Sequence, residues 1–225
     1  CYRVVTRYGD GALSLASAET CGRIQKDVPV MTRASVLGTS TTDSVLVGWS
    51  PPTELDDLAF GGPYRYELMG RRMDGLEEDW SPLWLSSVEN DLLALDTVAN
   101  VPNLDTETFA WAFQILLYSG LDNVGVPPAA STPRLTLVPD DNRLALQVAQ
   151  EAPWRVESYI IERQVPTGGD FTVLDTVSLP LFVDSGLVNG QVYCYRVTTV
   201  GRYDDPTTES PLRNLSQEAC GQPFD

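Results

Sequence analysis

A cysteine-framed segment occurs twice in this chain. Both copies begin with Cys-Tyr-Arg-Val, at Cys1 and Cys194, pass through a glycine-containing turn and end close to Glu-x-Cys-Gly, at Cys21 and Cys220. The simplest structure for such a segment is an antiparallel β-hairpin whose open end is closed by a disulfide. Four cysteines allow three connectivities, and the repeat favours pairing within each hairpin. The repeat therefore indicates an all-β fold.

Alternation of residue types predicts which face of the second hairpin is buried. Tyr193, Tyr195 and Val197 recur at every second position, so they are expected to face the core. On the return strand Leu215 and Ala219 are expected to face the same core, with both sulfurs on the polar face. A disulfide closing a loop of this size contributes about 3 kcal/mol in the chain-entropy model. Persistent disulfides are typical of proteins outside the reducing cytoplasm.

The repeat also predicts the domain organisation. Residues 1–26 are predicted to be the last two strands of a truncated module, 28–131 a module without cysteine, and 132–225 a module with a disulfide-closed hairpin. Short alternating segments bounded by proline or glycine run through the second module, one of them ending at Trp49. The third module contains seven such segments in under 100 residues. The predicted fold class is all-β, as tandem immunoglobulin-like sandwiches.

Little helix is expected. A single turn of helix fits residues 77–84 and residues 90–95. The longest apolar run, residues 109–118, is far shorter than the roughly 20 residues that cross a bilayer, so no membrane insertion is predicted.

Charge and the absence of histidine narrow the function classes. The formal net charge is −16, so binding to nucleic acid or to an anionic membrane surface is not expected. The chain has no histidine, which excludes Ser-His-Asp and Cys-His catalysis and histidine-ligated zinc. We therefore predict that the protein is not an enzyme and carries no cofactor.

Two motifs resemble fibronectin type III modules. The segment VLVGWSPP is similar to that family's apolar-x-apolar-x-Trp-x-x-Pro strand, which places Trp49 in the core. The stretch from Leu187 to Tyr193 resembles the spacing ahead of the sixth strand. It implies that Tyr193 is the tyrosine-corner residue, with its hydroxyl bonded to backbone upstream. In the second module the equivalent residues 104–110 contain Phe109 and offer no tyrosine hydroxyl.

A more specific resemblance covers nearly the whole chain. Phrases such as PPTELD, GPYRYEL, GLVNGQVYCYRV and SQEACGQP are similar to module arrays in large cell-surface proteins of gliding bacteria. That resemblance implies export by a type IX secretion system and a role as a spacer or adhesin stalk, with neighbouring modules of the same chain as partners. Two alternatives remain open: a carbohydrate- or protein-binding adhesin module, and the subunit of an extracellular filament that contacts other copies.

Calcium is the one ion that the acidic loops suggest. No D-x-D-x-D-G loop occurs, and solvated loop charge explains most acidic pairs. If calcium binds, the first candidate is the turn at Asp140 and Asp141. The second is the loop with Glu54, Asp56 and Asp57.

Short motifs give candidate sites for modification and for ligand binding. Asp-Ser/Thr-apolar triplets resemble O-glycosylation sites of such bacteria and single out Ser44, Thr97 and Thr176. The Asn214-Leu-Ser216 sequon lies in a predicted strand and is interpreted as chance. Three tryptophans could stack on sugars if exposed, but core packing is the favoured interpretation for each: Trp80, Trp84 and Trp154.

Overall fold

The protein is all-β. The computed structural model describes residues 3–18, 28–76, 79–164 and 168–225. Within these ranges every pairing between strands is antiparallel, and the strands form four sheets. Their arrangement is consistent with the predicted β-sandwich fold. Among the described residues, no helix has the length and apolarity needed to cross a membrane.

The first two sheets are built from residues 30–131. Sheet I has the order β1-β2-β5, and sheet II has the order β4-β3-β6-β7, with β8 also pairing with β6. The strands are β1 (Val30–Val36), β2 (Asp43–Ser50), β3 (Tyr64–Arg72), β4 (Ser81–Leu85), β5 (Val98–Leu104), β6 (Trp111–Ser119), β7 (Asp122–Gly125) and β8 (Ala130–Ser131).

The other two sheets are built from residues 134–221. Sheet III has the order β13-β10-β9, and sheet IV has the order β12-β11-β14-β15, with β16 also pairing with β14. The strands are β9 (Arg134–Asp140), β10 (Arg143–Ala149), β11 (Arg155–Gln164), β12 (Phe171–Val177), β13 (Leu181–Ser185), β14 (Tyr193–Arg202), β15 (Leu212–Leu215) and β16 (Ala219–Gly221).

The two sheet pairs share one topology. In each pair the first, second and fifth strands form one sheet, while the fourth, third, sixth and seventh form the other. The seventh position is divided in both, into β7 with β8 and into β15 with β16. Prolines at 127 and 128 separate the first two pieces, as expected for a residue that cannot donate to a ladder.

Each sheet pair has its own hydrophobic core. The first core is centred on Tyr66, Phe113 and Ile115, and the second on Tyr195 and Leu144. These residues come from the alternating segments found in the sequence, because successive side chains of a strand point to opposite faces. The predicted core residue Trp49 lies in the first core, with its ring 5.5 Å from that of Tyr66.

The described residues of the two copies of the sequence repeat share one pair of hydrogen bonds. In the N-terminal hairpin, Ser17 donates its N–H to the carbonyl of Val4, and its Oγ accepts the N–H of Val4 at 2.9 Å. In the second copy, Ser216 makes the same two bonds with Val197, the second at 3.0 Å. The serine hydroxyl occupies the place of a backbone carbonyl where the ladder becomes irregular.

The structure differs from the sequence prediction at one of the two expected turns of helix. Residues 81–85 form strand β4, not the predicted turn of helix, because they pair with β3 at the edge of sheet II. Residues 77 and 78 lie outside the described ranges. The second expected turn is present as a 3-10 turn at Leu92–Ala94, capped by Asp91. Strands β1 and β5 were not predicted.

The predicted disulfide between Cys194 and Cys220 is present. Cys194 was expected on an open polar face, but it is only 2% exposed. It lies in central strand β14, between Gln164 on one side and Cys220 on the other, and these neighbours cover it. Cys1 and Cys21 lie outside the described residues, so their pairing stays a prediction.

The expected register of the return strand was also wrong. Leu215 is only half-buried, whereas Leu212 and Asn214 are buried. The cause is the irregularity at Ser216, which separates β15 from β16 and shifts the alternation between them. The sequence pattern assumed one continuous strand.

Replacing both Cys194 and Cys220 by serine should lower the free energy of unfolding of this part of the chain by about 3 kcal/mol, because the unfolded chain regains loop entropy. Urea denaturation followed by tryptophan fluorescence measures the loss. Replacing Cys1 and Cys21 by serine is the matched control, and we expect that transition to stay unchanged. An equal loss in the control would contradict the prediction.

Candidate functional site: the joint between the two cores

Trp154 lies where the two sheet pairs meet. It precedes β11 in the second sheet pair, yet its side chain is 5% exposed and packs into the first core. Leu212 of β15 also belongs to that core, and Ala152, Val156 and Tyr203 pack against it. The interior of the first sheet pair is therefore completed by residues from the second, a set that we call the joint.

A glycine makes the packing of Trp154 possible. A Cβ atom added to Gly201 on β14 would lie 2.8 Å from Cδ1 of Trp154 and would also clash with the carbonyl of Arg155. Real Cβ atoms do not approach that closely, so only glycine lets the indole lie against β14 at this point. The ring of Tyr203 meets the indole edge-on at 6.1 Å.

The polar part of the joint is a seam between two strand edges. β1 is the edge strand of sheet I, and β15 lies at the edge of sheet IV. Side chains cross from one edge to the backbone of the other: Oδ1 of Asn214 accepts the N–H of Ala34 at 2.7 Å, Oγ of Ser35 accepts the N–H of Leu215 at 3.0 Å, and Oγ1 of Thr39 accepts the N–H of Glu218 at 2.7 Å.

One further hydrogen bond and one ion pair extend the seam. The hydroxyl of Tyr203 donates to the carbonyl of Met31 at 2.7 Å, and burial raises the pKa of this tyrosine. Arg33 and Glu209 lie 3.7 Å apart, with Glu209 largely exposed. An exposed pair of this kind contributes little, so the buried bond to Asn214 and the three partly buried bonds hold the seam.

The chain segment that connects the two sheet pairs is also hydrogen-bonded. Ser131 donates its N–H to the carbonyl of Glu151 at 2.7 Å, and its Oγ accepts the N–H of Glu151 at 2.9 Å. Arg134 donates to the carbonyl of Glu107 at 2.7 Å. Backbone groups that a flexible linker would leave to water are thus paired within the protein.

The first calcium candidate is engaged by protein groups. The carboxylate of Asp140 accepts from Nε of Arg143 at 2.9 Å and from the N–H of Asp141. These two contacts, the backbone one first, lower the pKa of Asp140. Asp141 accepts from the amide of Asn189 at 2.9 Å. The turn therefore uses its carboxylates to fix its own conformation.

The second calcium candidate is a turn of the same kind. Oδ1 of Asp56 accepts the N–H groups of Leu58 and Ala59 at 3.0 and 3.2 Å. Among the described residues, three ligand atoms of cysteine and carboxylate type approach within 4.8 Å only at Cys194, Glu218 and Cys220, where the sulfurs form the disulfide. The structure does not bring Glu54, Asp56 and Asp57 together in such a group.

The O-glycosylation candidates lie in different surroundings. Thr176 is exposed on edge strand β12, whereas Ser44 and Thr97 are half-buried. The asparagine of the sequon, Asn214, is 0% exposed and sits in the seam, which leaves no room for a glycan. Its interpretation as a chance motif agrees with this position.

The three tryptophans considered for sugar stacking are all covered to some degree. Trp154 is buried in the joint, as described above. Trp84 packs against Trp49, with ring centroids 5.6 Å apart. The guanidinium of Arg71 lies 5.3 Å from the ring centroid of Trp80. Each ring is thus engaged by a protein neighbour on at least one side.

Tyr193 and Trp111 hold equivalent corners of the two sheet pairs. The hydroxyl of Tyr193 accepts the N–H of Val188, five residues upstream, at 3.0 Å. In the first sheet pair Nε1 of Trp111 donates to the carbonyl of Asp105 at 2.9 Å. The tyrosine hydroxyl accepts its corner hydrogen bond, whereas the indole donates one. The sequence pattern did not predict this bond, because the family's pattern has a tyrosine hydroxyl where this module has Phe109.

A buried polar group in the second core was also missed. Asp184 on β13 accepts from the hydroxyl of Tyr195 at 2.8 Å and pairs with Arg163 at 2.7 Å. Burial, with the hydrogen bond to Asp184, raises the pKa of Tyr195. Alternation predicted that Tyr195 faces the core. No spacing in the sequence indicated that its strand, β14, would bring it to Asp184 on β13 and Arg163 on β11.

No protein-family model matches the chain, and none of the curated proteins matches it.

Replacing Tyr195 by phenylalanine should lower the free energy of unfolding by about 1–2 kcal/mol, because Asp184 loses a buried donor. Tyr66 offers a matched control, since its hydroxyl is buried without a hydrogen-bond partner. We expect Tyr66→Phe to be neutral or stabilising by up to about 1 kcal/mol. Urea denaturation of both variants measures the contrast, and a larger loss in Tyr66→Phe would contradict it.

Alkaline pH should destabilise the protein. Burial raises the pKa of Tyr66 and Tyr195 above the unfolded value near 10. Because the unfolded chain then releases these protons first, stability is fully present below about pH 10 and falls above it, by up to about 1.4 kcal/mol per pH unit for each tyrosine. Urea midpoints between about pH 8 and 11.5 test this. The slope should be smaller in Tyr66→Phe, and an unchanged slope would refute the assignment.

Proposed function

We propose that this chain is a non-enzymatic spacer: part of a fibronectin type III-like module array that holds other regions of an exported cell-surface protein away from the cell, in adhesion or gliding. The observation that carries the proposal is the joint. A spacer holds the regions that it connects at a fixed position only if its units do not swivel. Here Trp154 fills the neighbouring core while side chains of β15 and β1 bond across the seam.

The fold supports the module assignment. In both sheet pairs the strand order, with the first, second and fifth strands facing the other four, is similar to that of fibronectin type III modules. The bond between Tyr193 and Val188 has the form of that family's tyrosine corner. The boundaries at 26, 28 and 131 follow from the sequence repeat and belong to the proposal.

The proposed location outside the cell rests on the disulfide. A structural disulfide persists in oxidising compartments and is rare in the cytosol of most organisms. The bond between Cys194 and Cys220 is compatible with an extracellular protein. Export by a type IX secretion system, the route used by the surface proteins that the chain resembles, is the corresponding proposal for how it leaves the cell.

Distance measurements between the two sheet pairs test the spacer. Spin labels carried on non-natural residues at Leu58 and Leu179, both exposed, report the distance between the sheet pairs and leave the cysteines untouched. We expect one narrow distance distribution in pulsed electron paramagnetic resonance, because the joint fixes the orientation of one sheet pair against the other. A broad distribution in the unmodified sequence would contradict the spacer function.

A variant of the joint serves as the matched comparison. Tyr203→Phe with Asn214→Ala removes two seam hydrogen bonds, those to Met31 and to Ala34. We expect this variant to broaden the distribution. Tyr159→Phe, on β11 within the second sheet pair, is the control and should leave the distribution narrow.

A further inference from the structure

The two strands of the seam run in the same direction. Residue numbers rise together along it, from the contact of Ala34 with Asn214 to that of Thr39 with Glu218. Consequently the N-terminal end of β1 and the C-terminal end of β16 lie toward opposite ends of the seam. The chain enters sheet I at the N-terminal end of β1, and residues 222–225 follow the C-terminal end of β16.

This geometry decides how the seam meets a stretching force. A pull on the two sides of the chain draws β1 and β15 in opposite directions along their own axes. The hydrogen bonds across the seam are then strained together and do not open one after another. We propose that the seam between β1 and β15 is a mechanical clamp that resists shear when the chain is stretched; this rests on the proposed spacer function.

The disulfide keeps β15 in position as the fixed side of the clamp. A pull applied at Asp225 reaches Cys220 and crosses directly to Cys194 on β14. Residues 195–219, which include β15, lie within the covalent loop, so the covalent path of the load bypasses them and β15 is loaded through its hydrogen bonds to β14. The pull therefore cannot peel β15 away from β14, and the seam is sheared against an anchored strand.

Two further contacts hold the fixed side against its own sheet pair. The side chain of Gln217 accepts the N–H of Leu135 at 3.1 Å and donates to the carbonyl of the same residue at 2.6 Å. Ser216 bonds to Val197 on β14. The residues next to the seam are thus tied to sheet III and to sheet IV, so β1 is the side that moves.

Constant-force spectroscopy on the whole chain, with handles at its two ends and the disulfide intact, tests the clamp. Ser35→Ala with Thr39→Val removes two acceptors of the seam. Two hydrogen bonds of ordinary strength should shorten the lifetime under load by roughly thirtyfold. The single variant Thr39→Val should shorten it by roughly fivefold and serves if the double variant does not fold.

The matched control is Ser86→Ala with Thr172→Val. It also removes one serine and one threonine hydroxyl bonded to backbone, at Tyr66 in sheet II and at Arg163 in sheet IV, away from the seam. Its lifetime under load should stay within about twofold of the unmodified chain, because these bonds lie outside the sheared strands. Equal shortening in both double variants, or none in the seam variant, would overturn the clamp.

Reduction of the disulfide gives a second readout. With the bond intact, the 26-residue separation between Cys194 and Cys220 cannot extend. In a chain that carries Cys1→Ser and Cys21→Ser, so that this is the one bond reduced, the unfolded length should therefore be shorter by roughly 90 Å than after reduction, and reduction should also shorten the lifetime. An oxidised lifetime equal to the reduced one would refute the anchoring role. A broad spin-label distribution together with the expected lifetimes would reject the spacer and leave the clamp.

Discussion

The edge of β1 exposes backbone N–H and C=O groups that no strand of sheet I can reach. Such an edge is a hazard in any β protein, since it can pair with another chain. Here Oδ1 of Asn214 on β15 accepts an N–H of this edge in the place of a strand's carbonyl, and the hydroxyl of Tyr203 donates to one of its carbonyls. The same contacts that protect the edge also join the two sheet pairs. Edge protection and the rigidity of the joint thus have one physical cause.

The protein uses side-chain oxygens repeatedly where its ladders become irregular. Ser17 and Ser216 do so in the two copies of the repeat, and Ser86 makes the corresponding bonds with Tyr66 between β3 and β4. A hydroxyl can accept one N–H and still donate to a carbonyl nearby, so a strand can bend without leaving a buried polar group unpaired. This explains how the seventh strand of the second sheet pair changes direction while its backbone groups stay bonded.

The disulfide stabilises one hairpin, whereas the joint connects the two sheet pairs. The disulfide closes the hairpin of sheet IV covalently and is independent of the first sheet pair. The joint depends on both pairs, since Trp154 and Leu212 complete a core to which they do not belong by sequence position. The two sheet pairs are thus held together by burial, and the hairpin of β14 and β16 by a covalent bond.

The sequence determined the local features of this protein. Alternation placed Trp49, Tyr195 and Val197 in cores, and the repeat paired Cys194 with Cys220, because strand faces and hairpins are set by neighbouring residues. Only the tertiary structure decided the burial of Asn214, the placement of Trp154 in the core of the neighbouring sheet pair and the corner bond of Trp111. Each of these depends on a partner far away in the chain, and a period of two carries no information about which distant edge a side chain will meet.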